Sequence, residues 1–210
     1  MEKSSTGAAC AVPVFLLKRN RKKTSILVER RQEMRYNQTV INHREWEAKT
    51  AMAEQKTNVM RVLEQKKIAY TPHSYPHGED AVDGVTVAKL TGLAPEKVFK
   101  TLVTRGASKK NYVFVIPVAE ELDLKKAAKA AGEKSIAMIH VSEINALTGY
   151  IRGGCSPVGM KKQFETFYHE SCLKQDTIAV SAGKIGAQVE LAPAELIIIT
   201  RGKTADLIDE

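Results

Sequence analysis

The sequence predicts an α+β fold: a single domain with a mixed, largely antiparallel β-sheet flanked by short helices. Three observations predict it. Apolar runs of strand length are interleaved with short helical patterns, but without the strict β-α-β alternation of a parallel sheet. Glycine and proline punctuate those runs closely enough to keep every element short. The ordered pattern starts only near Lys56, because the residues before it show neither strand alternation nor a convincing apolar stripe.

Residues 1–55 therefore read as a basic N-terminal extension, and residues 56–210 as the folded domain. The extension carries 11 Lys/Arg against 6 Asp/Glu, with the run Lys18-Arg-Asn-Arg-Lys-Lys23. Such a composition is that of an unstructured segment, or of translation begun too far upstream, with Met52 as an alternative start. It is also that of a tail that binds nucleic acid without sequence preference. The whole chain has a net charge of +8, which favours a polyanionic partner. Three cysteines, Cys10, Cys155 and Cys172, cannot all pair with one another and have no metal-type spacing, so a reduced, cytoplasmic setting is expected. No apolar run approaches the length of about 20 residues that a membrane span needs. The apolar stretch Ala8 to Leu17 has its basic cluster after it, whereas a signal peptide has its charge first.

Within the domain, Val59, Val62 and Leu63 have helical spacing and predict a helix ahead of Lys66. Ile68 to Tyr75 reads as a strand closed by Pro76-His-Gly78. Thr86 to Leu90 reads as a helix stopped by Gly92, and Pro95-Glu-Lys-Val opens a turn into the strand Val98 to Val103. Tyr112 to Val118 is the next strand. Asp123 is a good N-cap for a helix over Leu124 to Ala131, with Gly132 as its stop. A short strand at Ile136 to Ile139 precedes a helix that Ser142 and Glu143 begin and that runs to Thr148. Phe164 to Tyr168, Thr177 to Ser181 and Gln188 to Leu191 read as strands. Pro193 suits the first turn of a closing helix, although Ile197-Ile-Ile199 fits helix or strand.

Between the Thr148 helix and the Phe164 strand lies Gly149-Tyr-Ile-Arg-Gly-Gly-Cys-Ser-Pro-Val-Gly-Met-Lys-Lys162. Four glycines and Pro157 make a stiff, bent loop whose N–H groups can face an anion or a carbonyl oxygen. Gly154 and Gly159 have phosphate-loop spacing, but Met160 stands where the lysine belongs and a lysine follows where Ser or Thr belongs; an NTPase is excluded. Cys155 lacks a neighbouring histidine to act as base, which argues against covalent catalysis. Lys100 sits mid-strand among apolar neighbours, so it either snorkels to the rim or lines a pocket. Tyr75 ends a strand, where a tyrosine with a wet hydroxyl is common. His73 and His77 have no evident third ligand, so no metal and no cofactor are assigned.

Taken together, His73-Ser-Tyr-Pro-His77, Val98-Phe-Lys-Thr-Leu-Val103 and the glycine loop from Thr148 to Lys162 resemble the YbaK family of freestanding aminoacyl-tRNA deacylases. That family is related to the editing insertion domain of prolyl-tRNA synthetase. Pro117-Val-Ala, Leu122-Asp-Leu-Lys-Lys126, Val180-Ser-Ala-Gly-Lys184 and Val189-Glu-Leu191 support the resemblance, which spans about residues 56–209. It implies a deacylase for Cys-tRNA(Pro), or for Cys-tRNA(Cys), with the 3′ end of aminoacylated tRNA as partner and prolyl-tRNA synthetase as a further one. A variant that clears alanine instead, or a noncatalytic tRNA-binding module, is the alternative. The resemblance implies that Lys100 is the essential lysine near the terminal adenosine or its phosphate, and that Gly153 and Gly154 act with it. It implies that Tyr75, Thr101, Ser156, Pro157 and Gln188 contact the substrate. Gln188 departs from the aspartate often found there, which puts a charge-dependent role at that position in doubt.

Overall fold

A computed structural model describes residues 56–78 and 81–209. The predicted extension, its basic run and Met52 lie outside the described residues. The elements follow in order: α1 (Asn58–Gln65), β1 (Thr71–Ser74), α2 (Gly84–Thr91), β2 (Phe99–Gly106), β3 (Asn111–Pro117), α3 (Leu124–Ala131), β4 (Ile136–Met138), α4 (Val141–Thr148), β5 (Glu165–His169), β6 (Ile178–Ser181), β7 (Ala187–Leu191), α5 (Pro193–Thr200) and β8 (Lys203–Ala205). Short 3₁₀ turns cover Pro95–Lys97 and Glu170–Lys174.

Mixed sheet and short helices agree with the expected class, but the strands divide into two sheets. One has the order β1-β7-β6 and is antiparallel; the other has the order β4-β2-β3-β5-β8. In the larger sheet β2 pairs antiparallel with β3 and β4, whereas β3–β5 and β5–β8 are parallel. An isolated parallel bridge between Val98 and Ala179 links the start of β2 to β6. The two sheets therefore meet beside Lys100.

Local chemistry explains the helices. Thr57 caps α1 by accepting from the Met60 N–H, and the helix buries Val59, Met60 and Leu63. Asp83 caps α2, and Gly92 ends it at φ +74°. Asp123 accepts from the N–H groups of Lys125 and Lys126 at 2.7 and 3.1 Å to start α3, and Gly132 ends it. Helix α4 differs from expectation at its start. His140, not Ser142, is the N-cap: its ring nitrogen accepts from the Ser142 N–H while the Glu143 carboxylate accepts from the His140 N–H. This is a capping box with histidine in the place of Ser or Thr. Pro193 opens α5, which resolves Ile197-Ile-Ile199 as helix. Strand β8 was not foreseen, because three residues at a sheet edge leave no periodic signal.

Alternation along β2 and β3 places a large apolar cluster on each face of the larger sheet. Phe99, Val103, Val113 and Val115 join Val59, Leu63, Val189, Leu191 and Leu196 in one cluster. Tyr112, Phe114 and Ile116 join Phe167, Leu207 and the Ala127–Ala128 face of α3 in the other. Phe114 and Phe167 stack with centroids 5.4 Å apart. Phe114 is fully buried, so Phe114→Ala is expected to lower the unfolding free energy by about 3–5 kcal/mol, read from the urea midpoint.

Candidate active site

A cavity of about 540 Å³ opens where the two sheets meet. The start of β2 forms its floor, with Phe99, Lys100, Thr101, Leu102 and Val103 all lining it. Tyr75 enters from the end of β1, Ser181 from β6 and Gln188 from β7. The glycine loop contributes Arg152, Gly153 and Cys155; the start of α2 with Asp83, and the β4–α4 segment, close the remaining sides.

Lys100 both lines the cavity and reaches its mouth. Its Nζ lies 3.0 Å from the Glu121 carboxylate, and Glu121 is almost wholly exposed. An ion pair with so exposed a partner is weak, so an incoming phosphate can replace it. Tyr75 is 7% exposed and its N–H donates to the Gly186 carbonyl at 3.0 Å, which fixes the strand end.

Two residues of the cavity lining hold unmatched oxygens. Thr101 Oγ1 and Gln188 Oε1 are buried without a hydrogen-bond partner among the described residues. Leaving such a group unmatched costs about 1–3 kcal/mol, a penalty that a polar ligand removes. Gln188 is directly opposite His73 on β1 and Ser181 on β6. On the same face, Glu190 accepts from Thr177 at 2.6 Å and meets His73 Nε2 at 2.7 Å. The Thr177 hydroxyl first, and His73 after it, hold the Glu190 carboxyl below its usual range. This tie stiffens the strand pair that presents Gln188.

The glycine loop divides its residues between site and scaffold. Gly153 lines the cavity at φ +81°, and a Cβ there would lie 2.6 Å from the Ala81 Cβ. Gly154, expected beside it, turns inward. It is buried, its N–H is engaged by the Ile151 carbonyl at 3.0 Å, and a Cβ would meet the Lys184 Cα at 3.0 Å. Its role is to let the chain pass close to the β6–β7 turn, not to present a donor. Ser156 and Pro157 are also placed away from the cavity. Ser156 is fully buried with Oγ accepting from the Val158 N–H, and Pro157 lines a separate cleft of about 170 Å³. The reason is local: Tyr150 donates to the Val158 carbonyl at 2.7 Å and Asn58 to the Gly159 carbonyl at 3.0 Å, drawing the second half of the loop into the core. Of the predicted residues, the fold thus brings together Tyr75, Lys100, Thr101, Gly153 and Gln188.

Cys155 lines the cavity as a protonated thiol, because burial pushes its pKa up to about 12. No group of three His, Cys, Asp or Glu side chains among the described residues could hold a metal ion. Likewise, no helix among the described residues is long and apolar enough to cross a membrane. Sequence reasoning missed the Glu121 partner, 21 residues from Lys100, and the apolar wall from β4 and α4. Ser181, within the Val180–Lys184 stretch, also lines the cavity, and nothing in its sequence context marks it.

Residues 79–199 match the family model of the aminoacyl-tRNA editing domain. The chain belongs to this family. A curated protein of Enterococcus faecalis (strain ATCC 700802 / V583), provisionally named Cys-tRNA(Pro)/Cys-tRNA(Cys) deacylase EbsC, is 47% identical to this chain over the matched residues. The match runs over 154 residues, 73% of this chain and 94% of that protein. The same fold occurs in a crystal structure described as a provisional trans-editing enzyme for prolyl-tRNA synthetase. Its TM-score is 0.64 at 24% identity, over 73% of this chain and 96% of that one. A hypothetical protein shares the fold with TM-score 0.65 at 22% identity, over 72% and 99% of the respective chains. The editing-domain match includes β2, the glycine loop and β7, and every residue of the cavity lining except Tyr75.

Proposed function

We propose that this chain is an aminoacyl-tRNA deacylase that removes cysteine from Cys-tRNA(Pro), with Cys-tRNA(Cys) as a further substrate, acting in trans in the cytoplasm on tRNA released by prolyl-tRNA synthetase. The observation that carries the reading is the convergence on one cavity of Lys100, Gly153 and two residues, Thr101 and Gln188, that hold unpartnered polar oxygens. The name of the Enterococcus relative supplies the substrate.

Each group has a chemical part. The Lys100 ammonium holds the phosphate of the terminal nucleotide. Gly153, with no side chain, admits the ester close to the main chain, where N–H groups of the loop stabilise the developing oxyanion. Gln188 Oε1 accepts from the α-ammonium of the aminoacyl group; as a neutral amide it does so without the full charge of a carboxylate. Thr101 and Tyr75 position the ribose and the acyl group.

The nucleophile is the thiol of the substrate. It attacks its own ester carbonyl: an S–C bond forms, the ester C–O bond breaks, and the thiol proton ends on the ribose oxygen. Water then opens the resulting thiolactone to cysteine. Holding the acyl chain in the reactive geometry is the main contribution of the cavity. Proline and alanine have no thiol, so their esters survive in the same cavity. This route separates cysteine from proline by chemistry, where a binding pocket separates near-isosteres by only about 10–200-fold.

Cys155 has no part in the step. Cys155→Ala is expected to retain most of the activity in a cysteine-release assay, and complete loss would point to a covalent enzyme intermediate instead. The test of the reading is deacylation of Cys-, Ala- and Pro-charged tRNA(Pro) by the purified chain. Release of cysteine with the other two spared is expected; binding without release of any amino acid contradicts it.

A further inference from the structure

We infer that the β4–α4 wall of the cavity, and in particular Met138 and Val141, is the seat of the terminal purine base of the RNA substrate. This rests on the deacylase reading of the same cavity. The walls of the cavity differ in chemistry. One carries Lys100, Thr101, Ser181 and Gln188; another, from Ala81 to Gly84, carries Asp83 and adjoins Gly153 through Ala81; the β4–α4 side carries Met138, Ile139, Val141 and Ile144 and presents no charged side chain. Within the second wall Ile139 is only 9% exposed, whereas Met138 and Val141 are each 50% exposed. Both belong to the cavity lining, while the exposed apolar residues Leu90, Leu124, Ile151, Leu173 and Ile198 do not.

An exposed apolar lip on a polar cavity marks a ligand with an apolar part. The cavity is within the range of about 300–1,000 Å³ typical of sites for drug-sized ligands, more than a cysteinyl group alone would occupy. The rest of such a substrate is a nucleoside. Ester and base hang from one ribose, so with the ester at Gly153, beside the Asp83-bearing side, and the phosphate at Lys100, the uncharged β4–α4 wall is the side that suits the base. A purine has a flat apolar face, and methionine, soft and unbranched, packs well against aromatic rings.

The wall is rigid enough to act as a seat. Met138 is in register with Thr104 of β2, and the Ile139 N–H donates to the Val103 carbonyl. Arg105 meets the Glu143 carboxylate at 2.6 Å, tying α4 to β2. The charges that flank the wall are thereby matched to each other, and the lip itself stays apolar.

The test compares binding of the trinucleotide CCA with a CC trimer whose third nucleotide has a ribose and phosphate but no base, followed by NMR titration of the full chain. The wild type is expected to bind CCA about tenfold more tightly, a difference of about 1.4 kcal/mol. The double variant Met138→Ala/Val141→Ala is expected to hold that preference below about twofold while binding the abasic trimer as the wild type does. Met138→Leu is expected to keep most of the preference. Both side chains are half-exposed, so the double variant should melt close to the wild type. Equal binding of the two probes to the wild type, no binding of either, or an undiminished preference in the double variant overturns the inference. Failure to release cysteine from Cys-tRNA(Pro) overturns the deacylase reading instead, so the two can fail separately.

Discussion

Lys100→Ala is expected to fold normally and to lose deacylation of Cys-tRNA(Pro) by at least about a hundred- to a thousandfold, the scale on which a single positioned electrostatic group acts. The fold should survive because the lysine is not part of the packed core. Its side chain is 25% exposed and its recorded ion pair is with an exposed glutamate. Phe99 and Val103, which flank it on β2, supply the packing and remain. Activity should not survive, because the ammonium is the positive group on the strand that floors the cavity. A thermal melt by circular dichroism together with single-turnover cysteine release checks both halves. Near wild-type turnover in a folded variant would remove Lys100 from the mechanism.

Gly153→Ala is the second large effect. Gly153 has φ +81°, a region that costs an L-residue about 1–2 kcal/mol. The new methyl would also lie 2.6 Å from the Ala81 Cβ and 3.1 Å from its Cα. Neither neighbour is the free end of a flexible side chain, so the loop must move away from its position at the cavity. A displacement of the order of 1 Å can cost about a hundredfold in rate. The expected result is a folded protein whose kcat falls about a hundredfold, with a smaller change in KM because Lys100 and the apolar wall still hold the RNA end. Unchanged kcat would mean that the loop does not touch the reacting ester.

Much of this was legible in residue order. Asp123 and Gly132 bracket α3 because caps act over one turn and need only local sequence. Lys100 stood out because a charged residue inside an apolar strand is uncommon, and the fold does bring it to a cavity. The loop was harder. Its glycines announced bending, but a loop has no period, so nothing in the sequence told which residues would face outward. Gly153 does, while Gly154, Ser156 and Pro157 serve the turn and the core. That division depends on Tyr150 and Asn58, the latter about a hundred residues away in sequence. The split into two sheets was illegible for the same reason: strand patterns give faces, not partners. His140 as a cap escaped notice because histidine is seldom the capping side chain.

The claim on which all else depends is that one cavity receives the aminoacylated 3′ end. Its most direct test is an NMR titration of the full chain with a CCA-ended RNA carrying cysteine through a non-hydrolysable amide. The largest shifts are expected at Thr101, Gly153, Cys155 and Gln188, and are expected to be lost in Lys100→Ala. Shifts centred on Pro157 and Met160, at the separate cleft, with Thr101 and Gln188 unmoved, would contradict it.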